Sequence, residues 1–167
     1  FDNFLEIKVN FENLKPSVVI NLAAYTNVDK AETDQEKVNL VNGLALQKIS
    51  EECKSIGAFL IHISSDYVFD GNSSRPYVES DQTNPKSIYG KSKLAGENAI
   101  VKSGCKYIIL RSSWIFSEYG NNFLKTILKL AKQQNSFDVV NDQFGCPTYA
   151  SDLSMAILRV INFLKIN

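Results

Sequence analysis

The chain has 167 residues, 44% of them hydrophobic, which is enough to bury the core of one domain spanning residues 1–167. Its 18 lysines and arginines balance its 18 aspartates and glutamates, so charge gives no reason to expect nucleic acid or an anionic membrane as a partner. No apolar run approaches the length of a membrane span, and the three scattered cysteines lack metal-ligand spacing. We therefore expect a cytoplasmic protein with reduced thiols and no metal site.

Strands and helices are predicted to alternate along the chain. In chain order the predicted elements are a strand at 18–24, a helix at 34–56, a strand at 59–68, a helix at 89–102, a strand at 107–111, a helix at 122–134, a strand at 137–140 and a helix at 150–164. Gly57 and Gly104 follow two of these helices, where glycine suits a C-terminal cap. The alternation predicts an α/β fold with a parallel sheet, and the apolar run at 18–24 reads as one of its buried strands.

Polar residues follow three of the predicted strands. They are Tyr25 and Thr26 after the first strand, Ser64, Ser65 and Asp66 at the end of the second, and Ser112, Ser113 and Trp114 after the third. In parallel α/β sheets, ligands bind beyond the carboxyl ends of the strands. We therefore expect a ligand site at this edge of the sheet.

A tyrosine and a lysine lie four residues apart at the start of one predicted helix. Residues at positions i and i+4 share a helix face, so Tyr89 and Lys93 could act on one ligand. An ammonium near a tyrosine hydroxyl favours the phenolate, and we therefore predict a pKa for Tyr89 below its usual value near 10. Such a group could donate and accept a proton near neutral pH.

The sole histidine of the chain lies inside an apolar strand segment. His62 is flanked by Ile61 and Ile63, and in this setting a hydrogen-bonded core histidine is the expected interpretation.

Several segments, taken in order, carry a resemblance to a known family. They are residues 21–32, 64–71, 89–97, 111–116 and 141–148. The second contains Ser65-Asp66-Tyr67 and the third opens on Tyr89-Gly90. Together they resemble the dTDP-4-dehydrorhamnose reductase family of the extended short-chain dehydrogenases. The resemblance covers nearly the whole chain.

This resemblance implies catalytic roles for three residues. Tyr89 would protonate the C4 oxygen of a keto-sugar as hydride arrives from a nicotinamide. Lys93 would lower the pKa of Tyr89 and hold the nicotinamide ribose hydroxyls. Ser65 would donate a hydrogen bond to the developing alkoxide.

The resemblance also implies residues that bind the cofactor and the substrate. The expected cofactor-binding residues are Ala24, Tyr25, Thr26, Asn42, Tyr89 and Lys93, with Asn42 supporting the site from its helix. The expected substrate contacts are Ser65, Asp66 and Trp114. The implied cofactor is NADPH or NADH, the implied partner is a nucleotide sugar, and a homodimer of the full-length protein is left open.

The family pattern extends beyond what this sequence contains. Family members carry a Gly-x-x-Gly-x-x-Gly loop that binds the pyrophosphate, whereas the first glycine here is Gly43 and the only methionine is Met155. We therefore expect a fragment of a longer reductase. Its fold would be a Rossmann-like doubly wound sheet lacking the N-terminal glycine-loop βαβ unit and most of the C-terminal substrate lobe.

The implied function is NAD(P)H-dependent reduction of the 4-keto group of a nucleotide-activated deoxy sugar, dTDP-4-dehydrorhamnose to dTDP-rhamnose. Two alternatives stay open. One is a nucleotide-sugar epimerase or dehydratase, although dehydratases place a glutamate directly after the aspartate and this chain has Tyr67 after Asp66. The other is a non-catalytic protein resembling the regulatory subunit of methionine adenosyltransferase.

Overall fold

The computed structural model describes residues 4–166, with the backbone alone at 165 and 166. Its elements in chain order are α1 Phe4–Leu14, β1 Val18–Asn21, α2 Val28–Ala31, α3 Gln35–Asn39, a π-helical turn Leu40–Leu44, α4 Ala45–Ile56, β2 Phe59–Ser65, a 3-10 turn Asp66–Val68, α5 Ile88–Ser103, β3 Lys106–Phe116, α6 Phe123–Gln133, β4 Pro147–Tyr149 and α7 Ala150–Ile166. The chain divides into two compact units, Phe1–Arg111 and Ser112–Asn167, so β3 begins in the first and ends in the second. The expectation of one domain over 1–167 stays a prediction.

The first unit confirms the predicted parallel α/β architecture. β1 pairs with β2 in parallel, from Val18 opposite Phe59 to Asn21 opposite His62, and β3 is the next strand in the order. Helices α4 and α5 supply apolar faces to a core between helices and sheet. The buried members of this core are Leu46, Ile49, Cys53, Ala58, Leu60, Ile100 and Cys105. Their spacing along α4 is the three-and-four pattern that a helix needs to bury one face.

The second unit contains the end of β3, β4, α6 and α7. Ser113 and Phe116 lie opposite Pro147 and Tyr149 in a parallel pairing that is irregular between Ser113 and Ile115. The side chain of Asn122 accepts a hydrogen bond from the Lys125 amide and so caps α6.

The strand predicted at 137–140 is wrong. These residues form no strand, and the fourth strand is Pro147–Tyr149. Val139 and Val140 are both exposed, Val140 by 68%. A short apolar run forms a strand only when it pairs with a neighbouring strand. Residues 137–140 have no such partner strand within their unit.

The interpretation of 18–24 as a buried strand is also wrong in part. The strand ends at Asn21, and Ile20 is 42% exposed because β1 stands at one end of the strand order. Composition identified a strand of a parallel sheet, but it does not say whether both neighbours are present.

The helix predicted at 34–56 is present with a local change of pitch. A π-helical turn, Leu40–Leu44, separates α3 from α4, and Gly57 ends α4 in the left-handed conformation with φ of 72°. Helices α1 and α2 were not predicted from the sequence. π-turns within helices are frequent at functional sites, and this one holds Asn42.

Two glycines let α5 approach its neighbours closely. A Cβ at Gly90 would overlap the carbonyl oxygen of Tyr67, and a Cβ at Gly96 would overlap the carbonyl oxygen of Asn42. The glycines therefore allow the backbone contacts that set where the first turns of α5 lie.

We expect Gly96→Ala to lower the free energy of unfolding of the chain by about 1–3 kcal/mol, because overpacking against backbone forces shifts. The new Cβ would also lie 2.7 Å from the Leu46 Cδ2 atom. Gly43→Ala is the matched control, since its Cβ would meet only the Ala95 Cβ at 3.9 Å, an ordinary contact. Urea unfolding of both variants measures the difference. Equal stability of the two variants would contradict the close approach.

Candidate active site

The tyrosine and lysine singled out by their spacing lie on the first two turns of α5. Ser87 caps this helix by accepting a hydrogen bond from the Gly90 amide at 3.0 Å. Lys93 is buried, with 2% of its surface exposed, and Tyr89 is half-buried. The helix predicted for this segment is confirmed, running from Ile88 to Ser103 with Gly104 as its C-terminal cap.

The ammonium group of Lys93 is turned toward β2. Its Nζ donates a hydrogen bond to the carbonyl oxygen of Ile63 at 2.7 Å and lies 3.3 Å from Nε2 of His62. Burial lowers the pKa of Lys93 from the ordinary value of 10.5 to about 8, with Glu97 acting in the opposite direction. A lysine in this state is available to deprotonate at mildly alkaline pH.

The predicted lowering of the Tyr89 pKa is wrong. Burial raises this pKa, the nearby charge of Asp66 raises it further, and only a hydrogen bond with Ser65 lowers it. The Tyr89 ring also stands edge-on to the ring of Tyr67, with centroids 5.5 Å apart. The phenol is therefore protonated at neutral pH, the state that a proton donor requires.

Ser65 and Asp66 lie at the end of β2, beside Tyr89. Ser65 Oγ donates to Asp66 Oδ1 at 3.1 Å and accepts from the Tyr67 amide at 3.2 Å. Burial raises the pKa of Asp66. The structure thus brings together Ser65, Asp66 and Tyr89, as expected from residues at the carboxyl end of a parallel strand.

The segment after β1 is held by Asn42. Asn42 Oδ1 accepts from the Tyr25 amide at 2.9 Å, and its Nδ2 donates to the Tyr25 carbonyl at 3.1 Å and to Ser92 Oγ at 3.0 Å. Asn42 therefore supports both the 24–26 segment and α5, which agrees with its expected supporting role. Ala24 is half-buried and Thr26 is exposed in this segment. Their cofactor contacts stay predictions.

Trp114 lies in the second unit and has an unusual backbone. Its φ is 45°, a backbone conformation that residues other than glycine rarely adopt. Its indole packs so closely against Gly145 that a Cβ there would lie 2.9 Å from the ring. Trp114 is 39% exposed, and its contact with substrate stays a prediction.

His62 is a hydrogen-bonded core histidine, as predicted. It is 2% exposed, and burial and the charge of Lys93 lower its pKa to about 3. The contacts of His62 with Asn21 and with Lys93 were not predicted from the sequence. The register Asn21 opposite His62 brings the first pair together, and only the structure supplies that register.

An ion pair fixes the side of α5 next to Lys93. Arg111 donates two hydrogen bonds to the Glu97 carboxylate, at 3.0 Å and 2.6 Å. Its guanidinium carbon also lies over the Phe69 ring, 5.0 Å from the ring centroid. This bidentate geometry is stronger than a single hydrogen bond between an arginine and a carboxylate.

Over residues 4–166, His, Cys, Asp and Glu side chains form no group suited to hold a metal ion. In the same range, every helix is too short or too polar to span a bilayer.

The parallel α/β fold of the chain is Rossmann-like, and α5 carries a Tyr-x-x-x-Lys pair. The chain belongs to the family described as RmlD substrate binding domain, whose model matches residues 2–165. This confirms the resemblance inferred from the sequence.

The chain is similar to proteins named dTDP-4-dehydrorhamnose reductase. It is 42% identical to the Escherichia coli K12 protein over 154 residues, covering 92% of this chain and 52% of that protein. It is 46% identical to the Sinorhizobium fredii protein over 145 residues, covering 87% of this chain and 49% of that one. The chain thus spans about half the length of these relatives.

Solved structures agree with this assignment. The Clostridium acetobutylicum dTDP-4-dehydrorhamnose reductase matches with a TM-score of 0.92 and 42% identity, covering 96% of this chain and 57% of that one. The Bacillus anthracis dTDP-4-dehydrorhamnose reductase, solved in complex with NADP, matches with a TM-score of 0.92, 38% identity and the same coverage.

Proposed function

We propose that this sequence is the part of an NAD(P)H-dependent reductase that carries its proton donor and its ribose-binding lysine. The substrate is a nucleotide-activated 4-keto-6-deoxy sugar, dTDP-4-dehydrorhamnose, and the product is dTDP-rhamnose. The observation that carries the proposal is the cluster of Ser65, half-buried Tyr89 and buried Lys93 at the carboxyl end of β2. The names of the relatives support the same reaction.

Tyr89 and Ser65 have separate roles in the proposed carbonyl reduction. A bound nicotinamide would supply the hydride. Tyr89 then gives its phenolic proton to the carbonyl oxygen as negative charge develops there, and Ser65 donates a second hydrogen bond to the same oxygen. The raised pKa of Tyr89 keeps its proton in place until the substrate oxygen becomes basic.

Lys93 could bind the ribose of such a cofactor because its ammonium group donates hydrogen bonds. An ammonium offers three N–H groups. One is given to the Ile63 carbonyl and one is directed at His62, which leaves a third for a ribose hydroxyl. The NADP complex of the Bacillus anthracis relative supports a nicotinamide nucleotide as cofactor, and we propose NADPH or NADH.

The proposed setting is cytoplasmic. Cys53, Cys105 and Cys146 are free thiols, which suits a reducing compartment. The proposed partner is the nucleotide sugar, with no nucleic acid, and a homodimer of the full-length protein is left to measurement.

The test of function is a coupled assay on a full-length reductase that contains this sequence. We expect oxidation of NADPH or NADH only when dTDP-4-dehydrorhamnose is present, with dTDP-rhamnose as product. Loss of water from a dTDP-hexose without net cofactor oxidation would instead indicate a dehydratase. Cofactor binding without turnover of any keto-sugar would favour the regulatory alternative.

The 167-residue chain assayed alone is expected to bind NADPH only weakly. Lys93 and the 24–26 segment can contact one part of the cofactor, whereas pyrophosphate binding in this family uses a glycine loop that this sequence does not contain. Isothermal titration beside a full-length reductase measures the difference. Micromolar binding by the chain alone would show that its own residues suffice.

A further inference from the structure

A buried line of polar side chains runs from β1 through β2 to α5. Asn21 Nδ2 lies 3.0 Å from His62 Nδ1, and His62 Nε2 lies 3.3 Å from Lys93 Nζ. All three residues are less than a tenth exposed. The reduction chemistry assigned above to Ser65, Tyr89 and Lys93 uses neither Asn21 nor His62.

The donors and acceptors in this line constrain one another. A neutral imidazole has one N–H and one acceptor nitrogen, whereas an ammonium only donates. If the Asn21 amide donates to Nδ1, then Nε2 carries the proton and faces Lys93 as a donor. That arrangement suits a neutral amine at Lys93, which can accept.

A charged Lys93 requires the opposite arrangement. Nε2 must then accept from the ammonium, so the imidazole proton sits on Nδ1 and the Asn21 carboxamide offers its oxygen. The imidazole is neutral in both states. On going from the first state to the second, Asn21, His62 and Lys93 together take up one proton from solvent.

The carboxylate whose charge acts on Lys93 is bound by another side chain. Glu97, one turn along α5, is held by the two hydrogen bonds from Arg111 on β3. His62 and the Ile63 carbonyl are therefore the groups on β2 that set the position of the Lys93 nitrogen, and Asn21 is the group on β1 that reaches His62.

We propose that His62, held by Asn21, is a positioning residue for Lys93 whose tautomer is coupled to the charge of that lysine. The proposal rests on the proposed function only for its consequence, which is that His62 directs the remaining N–H of Lys93 toward the cofactor ribose. The coupling itself is a property of the chain without any ligand.

Nitrogen NMR of the chain tests the coupling directly. His62 is the only histidine in the sequence, so ¹⁵N-histidine labelling gives one imidazole. We expect its proton to move from Nδ1 to Nε2 as pH rises, with the midpoint at which the ¹³Cε signal of Lys93 titrates. In Lys93→Met the tautomer should be constant over the same range. A constant tautomer in the wild-type chain, or the same change in Lys93→Met, would overturn the coupling.

Two substitutions in a full-length reductase test the positioning. His62→Gln replaces the imidazole by a carboxamide that can accept a hydrogen bond from Lys93, whereas His62→Phe keeps an aromatic ring without a nitrogen. We expect His62→Phe to raise the cofactor Kd roughly tenfold or more, with little change in kcat at saturating cofactor, and His62→Gln to recover most of the affinity. Equal affinities in two folded variants would overturn the positioning role. A reductase inactive on every keto-sugar would refute the proposed function and leave the NMR result standing.

Discussion

Replacing Tyr89 by phenylalanine is expected to lower kcat of a full-length reductase by about 10²–10⁴-fold, because positioned proton donation is typically worth that much. The ring is retained, so its edge contact with Tyr67 and its packing on α5 persist. Substrate affinity should change little. Steady-state kinetics with keto-sugar and cofactor varied in turn measures both quantities.

Tyr67→Phe is the matched control for this substitution. Tyr67 is the ring in edge contact with Tyr89, and it loses the same hydroxyl without being the proposed donor. We expect its kcat to stay within a few-fold of wild type. Near-normal turnover by Tyr89→Phe, or an equal loss in both variants, would refute the assignment of Tyr89.

The pH dependence of the reduction follows from the raised pKa of Tyr89. The proposed donor must hold its proton, and a Tyr89 pKa above the usual 10.0 keeps it protonated across neutral and mildly alkaline pH. Reduction should therefore lose the Tyr89 contribution only on the strongly alkaline side. The reverse oxidation requires the phenolate and should rise over that same range.

Local patterns in the sequence were sufficient to predict the helix with Tyr89 and Lys93 and the strand that carries Ser65, although this strand ends at Ser65 and not at Val68 as predicted. A spacing of four residues places two side chains on one helix face whatever surrounds the helix. A run of apolar residues that ends in hydroxyls likewise identifies a buried strand and its carboxyl end. These features depend on neighbours along the chain, and the structure confirms both elements.

Properties that depend on contacts across the fold were not predictable in the same way. The pKa of Tyr89 is raised because tertiary packing buries its hydroxyl, while Lys93 turns toward Ile63 and His62. Spacing alone suggested that the two would act on each other. The strand at 137–140 failed for a related reason, since a strand needs a partner and β4 takes that place in the pairing with β3.

Lys93→Met is expected to raise the cofactor Kd of a full-length reductase by roughly 10–100-fold, the usual worth of a hydrogen bond from a charged group. The methionine side chain has similar length and fills the same buried space without the charge. Lys91→Met is the matched control, because Lys91 is exposed on the same helix. Titration of both variants with NADPH and NADH measures the effect. Equal affinities in the two variants would mean that Lys93 does not bind the cofactor.

The same substitution should change how stability depends on pH. The pKa of Lys93 is about 8 in the folded chain against 10.5 for an ordinary lysine, so between these values the unfolded chain binds more protons. The free energy of unfolding of the wild-type chain should therefore rise from pH 8 to pH 10.5 relative to Lys93→Met, by roughly 3 kcal/mol in total. Below pH 8, Lys93 is charged in both the folded and the unfolded wild-type chain. The difference in free energy of unfolding between wild type and Lys93→Met should therefore be constant there. Urea unfolding at closely spaced pH values measures this difference, and a flat difference across the whole range would show that the buried lysine keeps its ordinary pKa.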